Sequence, residues 1–286
     1  MANNRKPSST RSRRRSRRPV PSETQATNGA EGETAATARE PRGLFTLIRE
    51  WVDPLVFAYL LAMFIRTFCV ELFKIPSGSM TPTLIGDEVA EVDYDGDGNN
   101  DLIVAQHRGP LTRYQIFVRD ANGYAPGPTP IVDHLKFDVA QEFERKKRVR
   151  YDRICVSKFA YWFKEPARGD IAVFKVPLKI FSREKPIYVK RVVGKPGETV
   201  AVRDNRLWVN GKPVVEPEFF RNQYYTNECD GNYFTHLELE SDDYLLFGDN
   251  TLSSSDGRKW GPTPGENLKG KAFLRYLPLR NIRFLH

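Results

Sequence analysis

Histidine and cysteine are scarce in this chain, and their scarcity narrows its chemistry. Four histidines occur in 286 residues, His107, His134, His236 and His286, and none stands in a recognisable catalytic block. No GxSxG turn is present either, so a Ser-His-Asp hydrolase is a poor fit. Three cysteines, Cys69, Cys155 and Cys229, are too few for a disulfide scaffold and show neither CxxC nor metal-ligand spacing. Cys155 and Cys229 either pair in an oxidising compartment or remain two free thiols, with Cys155 buried in an apolar strand. Metal and other cofactors are not expected. Acid is absent from the first 20 residues, which carry Arg5, Lys6, Arg11, Arg13, Arg14, Arg15, Arg17 and Arg18. Because the whole chain has a formal net charge of +8, everything after this cluster is charge-balanced. Nothing in that balance asks the folded part to bind nucleic acid.

Long apolar runs are rare as well. Residues 1–43 contain none and are rich in Ser, Thr, Ala, Glu, Pro and Gly, so they read as a disordered basic tail. One run follows: from Pro54 to Phe73 the chain reads PLVFAYLLAMFIRTFCVELF, about the length needed to cross a bilayer as a helix. Arg66 and Glu71 interrupt its second half, where an arginine can snorkel to the interface. The basic tail on the other side satisfies the positive-inside rule with the N-terminus in the cytoplasm. No small-residue cleavage site follows the run, so residues 44–73 are expected to be a retained single-pass anchor. The remainder then lies outside the cytoplasm.

Helical periodicity is nearly absent beyond the anchor. Short runs such as DIAVFKV, IYVKRVV, RLWV and DYLLF are broken by turn residues, and Val209-Asn210-Gly211-Lys212 is a strong hairpin signal. The expected fold is mainly β: an antiparallel β-sheet domain behind one N-terminal transmembrane helix.

Directly after the anchor comes FKIPSGSMTPTLIGD (73–87), followed in order by ARGDIAVFKVP (167–177), PIYVKRVVGKPGE (186–198) and FGDNTLSSSDGRKWGP (247–262). These four blocks resemble the conserved boxes of the bacterial type I signal peptidases, a family of serine-lysine dyad peptidases. The resemblance covers roughly residues 44–87 and 151–283. It implies Ser79 as nucleophile and Lys190 as general base. A serine hydroxyl attacks only once a base takes its proton, and a lysine serves only if burial lowers its pKa toward neutrality. Alternation along IYVKRVV places Lys190 on one strand face with Tyr188 and Val192, an apolar setting of the right kind.

The resemblance further implies that Ser77 contributes its hydroxyl to an oxyanion hole beside the Ser79 N–H. By the same matching Ser254 hydrogen-bonds and orients Lys190, and Asp256, Arg258 and Arg191 hold the site through ionic contacts. Phe73, Ile75, Leu84, Tyr188 and Val189 match positions lining shallow apolar pockets that admit alanine-sized side chains. Asp249 and Asn250, by contrast, read as turn formers. The implied activity is cleavage of signal peptides from secreted precursors after small-x-small sites. The implied partners are those precursors and the lipid bilayer, with the protein monomeric in the bacterial cytoplasmic membrane.

The blocks assign residues 74–87 and 151–286 to the catalytic β domain, with 199–245 as a smaller β-ribbon. Residues 88–150 are an insertion of unassigned role. It opens on EVDYDGDGNNDLIVA, where Asp93, Asp95, Asp97, Asn99 and Asp101 alternate around two glycines. That spacing suits either a calcium loop or a solvated Asp/Gly turn; Val104 occupies the position of an EF-hand's closing glutamate. A calcium-dependent binding module would need the loop repeated, and it occurs once. Self-cleaving repressor-type proteins also use a serine and a lysine but lack a preceding membrane span.

Overall fold

The structure is a computed structural model that describes residues 44–108, 111–120, 123–124, 139–177, 186–229 and 231–285. The chain divides into two units, residues 1–52 and 53–286. Of the first, only the residues from Leu44 are described, and they are helical. The basic tail, His134 and His286 lie outside the described residues.

A helix covers Leu44–Phe64 and continues as a π-turn through Cys69. The 22-residue stretch Ile48–Cys69 is, among the described residues, the one helix long and apolar enough to cross a membrane. At 1.5 Å per residue it spans about 33 Å. Its side chains are exposed, with Trp51, Phe57 and Leu55 each about two-thirds or more open. The helix stops short of the expected boundary at Phe73. Val70–Lys74 is instead an edge strand paired antiparallel with Arg153–Ser157, Val70 opposite Ser157 and Lys74 opposite Arg153. The β-branched and aromatic Val70 and Phe73, interleaved with polar residues, suit a pleated half-buried surface better than lipid.

The expected antiparallel β architecture is present. One eight-stranded sheet runs in the order 70–74, 153–157, 268–277, 171–175, 187–194, 243–247 and 263–264, with 283–284 added on 268–277. Two apolar clusters pack on it. One joins Ile75, Met80 and Leu84 to Ile154, Val156, Ile171 and Val173; the other joins Ala172, Phe174 and Val192 to Tyr244 and Leu246. A four-stranded sheet, built from 199–203, 206–209, 212–213 and 236–238, packs around Phe220, Tyr225 and Phe247. Its predicted hairpin is formed, with Asn210 at φ 51° and Gly211 at φ 76°, the left-handed pair of a tight hairpin turn. The Arg203–Arg206 hairpin uses Asp204 and Asn205 in the same way.

Residues 86–151 form a further antiparallel sheet, ordered 111–117, 101–108, 86–92 and 148–151. The helix Val139–Lys146 covers it by burying Val139 and Phe143 against Val92, Ile103, Ile116 and Tyr114. The stretch set apart in the sequence is therefore a folded unit with its own core. All three cysteines are free. Cys229 is buried and its thiol donates to the Ser254 carbonyl at 3.1 Å, while Cys155 is half-buried.

Candidate active site

Ser79 lies on a single 3-10 turn, Gly78–Met80, just beyond the edge strand 70–74. Extended Ser77 (φ −143°, ψ 156°) precedes the turn, and the Thr81 N–H closes it on the Gly78 carbonyl. Met80, fully buried against Ile75 and Leu84, pins the turn into the core. Lys190 is the fourth residue of the strand Ile187–Gly194, four places across the sheet from the 70–74 strand. The sheet curls so that these two elements meet: Lys190 Nζ donates to Ser79 Oγ at 2.6 Å across 111 residues of sequence. Tyr188 and Val192, on the lysine's strand face, share one apolar cluster, and the ammonium sits 5.7 Å from the Tyr188 ring centre.

Lys190 is 2% exposed. Burial lowers its pKa to about 8, because an ammonium loses more hydration than an amine. Asp256 and Asp249 pull in the opposite direction and Arg258 opposes them. Both carboxylates are tied to arginines. Arg191 clamps Asp249 with Nε at 2.8 Å and Nη2 at 2.7 Å, and it donates to the Gly169 carbonyl at 2.7 Å. Arg258 reaches Asp256 through Nε and Nη2, each at 2.9 Å, and the other Asp256 contacts are the N–H groups of Gly248 and Arg258. The pull of each acid on the lysine is thus offset by its bound arginine, and burial outweighs what remains.

Asp249 is thus a buried ion-pair partner, not merely a turn former. Asn250, read the same way, fastens the serine turn: its N–H donates to the Ser79 carbonyl at 3.0 Å and its Nδ2 to the Gly78 carbonyl at 3.3 Å. A further support comes from Gln223, whose Nε2 holds the Asp249 carbonyl at 2.7 Å. Gly248 completes the set, since a Cβ there would lie 2.5 Å from the Ser79 carbonyl oxygen and 2.1 Å from Ser254 Oγ. The GDN run offered a signal for Gly248 and Asn250. Gln223 stands in no motif and offered none.

Ser77 Oγ lies 3.4 Å from Ser79 Oγ, and no described residue accepts the Ser79 N–H. The expected hydrogen bond from Ser254 to Lys190 is not made. Ser254 Oγ is buried without a partner, while the lysine's bond goes to Ser79. The Ser254 backbone is nonetheless fixed, its carbonyl accepting from Cys229 and Arg258.

Around the pair runs a cleft of about 470 Å³ whose lining includes Phe73, Ile75, Tyr188 and Val189 alongside Ser77, Ser79 and Lys190. Leu84 does not line it. That side chain is fully buried behind Ile75 and Met80, because the chain turns inward after the serine and the Leu84 N–H bonds the Met80 carbonyl. His236 is exposed on another sheet and does not line the cleft.

The acidic run of the 86–151 unit gathers Asp93, Asp95 and Asp101 with oxygens within 4.8 Å of one another, without Asp97. Those oxygens accept backbone N–H groups. Asp93 takes Gly96 and Gly98, and Asp101 takes Tyr94 and Arg119. This is the bonding of a structured Asp/Gly turn.

A sequence model of the family described as "Signal peptidase, peptidase S26" matches residues 48–126 and 141–277. It therefore runs through much of the segment that the motif blocks leave out. Signal peptidase I of Leptolyngbya laminosa is 35% identical over 135 residues, 46% of this chain and 63% of that protein. The chain thus spans less than two thirds of that relative's length. Signal peptidase I V of Bacillus subtilis is 32% identical over 126 residues, covering 42% of this chain and 71% of the relative. A crystal structure of a signal peptidase I from Enterococcus faecalis aligns with 38% of this chain and 97% of its own, at 27% identity and a TM-score of 0.30. With well over half its residues matched by the family model, this chain belongs to the signal peptidase family, peptidase S26.

Proposed function

We propose that this protein is a membrane-anchored endopeptidase that removes signal peptides from secreted precursors, cutting after small-x-small sites with Ser79 as nucleophile and Lys190 as general base. The observation that carries the reading is the 2.6 Å contact between Ser79 Oγ and a lysine that burial has brought down to about 8. Neutral Lys190 takes the Ser79 proton as Oγ attacks the scissile carbonyl. The Ser77 hydroxyl and the Ser79 N–H receive the charge that develops on the carbonyl oxygen. Collapse passes the lysine's proton to the departing amine and leaves an acyl-serine. Lys190 then activates water to release the acid. Arg191, Asp256 and Arg258 hold the strands that carry the pair, and Ser254 places its hydroxyl in the same buried region.

The 70–74 strand lies at the end of its sheet. Its extension through Ser77 offers backbone groups to an extended substrate, by strand addition. Phe73, Ile75, Tyr188 and Val189 form the apolar floor that small side chains occupy. The Ile48–Cys69 helix anchors the domain in the bacterial cytoplasmic membrane with the catalytic sheet outside, where emerging precursors arrive as a monomeric enzyme's substrates. The chemistry calls for no cofactor.

Ser79→Ala and Lys190→Ala, each purified in detergent and given a precursor with an Ala-x-Ala site, test the proposal. Removing either member of such a unit lowers turnover by about 10³-fold or more. Cleavage by either variant at the wild-type rate rejects the pair. Cleavage of the same precursor with bulky residues in place of both alanines rejects the specificity.

A further inference from the structure

A second cavity, of about 370 Å³, opens at the junction between the 86–151 sheet and the C-terminal end of the large sheet. It shares no lining residue with the catalytic cleft. Its walls carry five arginines: Arg119 and Arg150 from the 86–151 segment, and Arg275, Arg280 and Arg283 from the strand 268–277 and the chain that follows it. One acid, Glu91, lines it, and Asp152 lies behind.

These two carboxylates are already engaged. Asp152 takes Arg150 at 2.9 Å and Arg275 at 3.1 Å, besides the Ile85 N–H at 3.0 Å. Glu91 pairs with Arg148 and stands 3.7 Å from Arg150. Arg119, Arg280 and Arg283 therefore have no carboxylate partner among the described residues. Arg283 has only the Thr83 carbonyl, at 3.2 Å, and Arg119 only the face of Tyr124.

Two of the five guanidiniums, Arg150 and Arg275, are more than nine-tenths buried. Burial, with Arg283 and Arg150 close by, brings Arg275 down to about 10 despite its carboxylate. Concentrated positive charge with too few acids is costly unless an anion joins it, and arginine forks match the oxygens of phosphate in pairs. On the same C-terminal segment Leu279, Ile282 and Phe284 are 73%, 54% and 67% exposed, alternating with Arg280 and Arg283.

We propose that this arginine-lined cavity is a binding site for a phosphate group, separate from the catalytic cleft. A phospholipid headgroup and free phosphate offer the same chemistry. The exposed apolar residues beside the cavity would meet acyl chains in the first case and remain in solvent in the second.

The full chain in detergent, titrated with inorganic phosphate against chloride at equal ionic strength, is one arm of the test. The full chain in phosphatidylcholine nanodiscs with increasing phosphatidylglycerol is the other. The thermal midpoint reads both, since a ligand of the native state raises it. Arg280→Ser/Arg283→Ser, both surface positions outside the catalytic machinery, should retain precursor cleavage and need at least about tenfold more ligand for the same shift, the loss expected from a single charge-assisted bond. Arg119→Ser, from the opposite wall of the cavity, should repeat the loss and guards against a local folding defect in the double variant. A wild-type response to free phosphate that the variants lose supports the site as a free-phosphate site. A response to phosphatidylglycerol alone, again lost in the variants, supports it as a headgroup site. No response in either arm, or equal responses from wild type and variants, overturns the proposal.

Discussion

Lys190 concentrates the physical problem of the site in one side chain. To act as a base it must be neutral, and at about 8 its pKa makes the neutral form accessible near physiological pH. On the proposed mechanism kcat/KM should rise with pH as the ammonium loses its proton, with a half-maximum near pH 8. Asp256 favours the charged form and Arg258 opposes it. Arg258→Gln, which keeps some hydrogen bonding but removes the cation, should move the rising limb of the kcat/KM profile to higher pH. A limb that stays in place would mean that Arg258 acts only as a brace. Gly248→Ala tests the neighbouring backbone. Its Cβ would fall 2.5 Å from the Ser79 carbonyl oxygen, and displacing a nucleophile by even 1 Å costs about 10²-fold in rate. The variant should therefore lose cleavage by about that factor while the precursor's KM changes little.

At the level of elements, what was legible followed from local rules. Asn210-Gly211 announced its hairpin because few other dipeptides adopt two left-handed conformations. The strand 187–194 announced itself through alternation, and with it the face that carries Lys190. Motif order supplied Ser79, whose three-residue turn has no periodicity to detect. The misreadings share a physical cause, namely tertiary pairing that composition does not encode. Val70–Phe73 continues the apolar character of the helix yet pairs with 153–157. Leu84 has the right chemistry for a cleft but is turned into the core, and Asp249 resembles a turn residue until Arg191 arrives from 58 positions away. The fold of 86–151 was illegible for the same reason, since its sheet joins strands from both ends of the segment. Its helix 139–146 depends on Phe143, 1% exposed and 5.2 Å from the Tyr114 ring. Phe143→Ala should cost about 3–5 kcal/mol of local stability, seen as faster amide exchange in residues 86–151. Exchange in strand 187–194 should be unchanged.

Across the whole molecule, charge is segregated with unusual sharpness: eight basic residues and no acid in the first 20, then balance through the remaining chain. A helix of bilayer length, Ile48–Cys69, follows that cluster. The cytoplasmic side retains lysine and arginine near a span because moving them across the bilayer is costly. The proposed function therefore carries a definite orientation, with the cluster inside and Ser79, ten residues beyond Cys69, on the other side of the bilayer. Added protease should remove the N-terminal tail from inverted membrane vesicles while leaving a protected fragment that contains the 70–286 sheets. In right-side-out spheroplasts the pattern should reverse, with the tail protected. Replacing the eight basic residues with Gln should weaken the preference and yield a mixed population in both preparations. A tail that stays protected in inverted vesicles would place the catalytic sheet in the cytoplasm, out of reach of exported precursors, and the proposed role in secretion would fall with it.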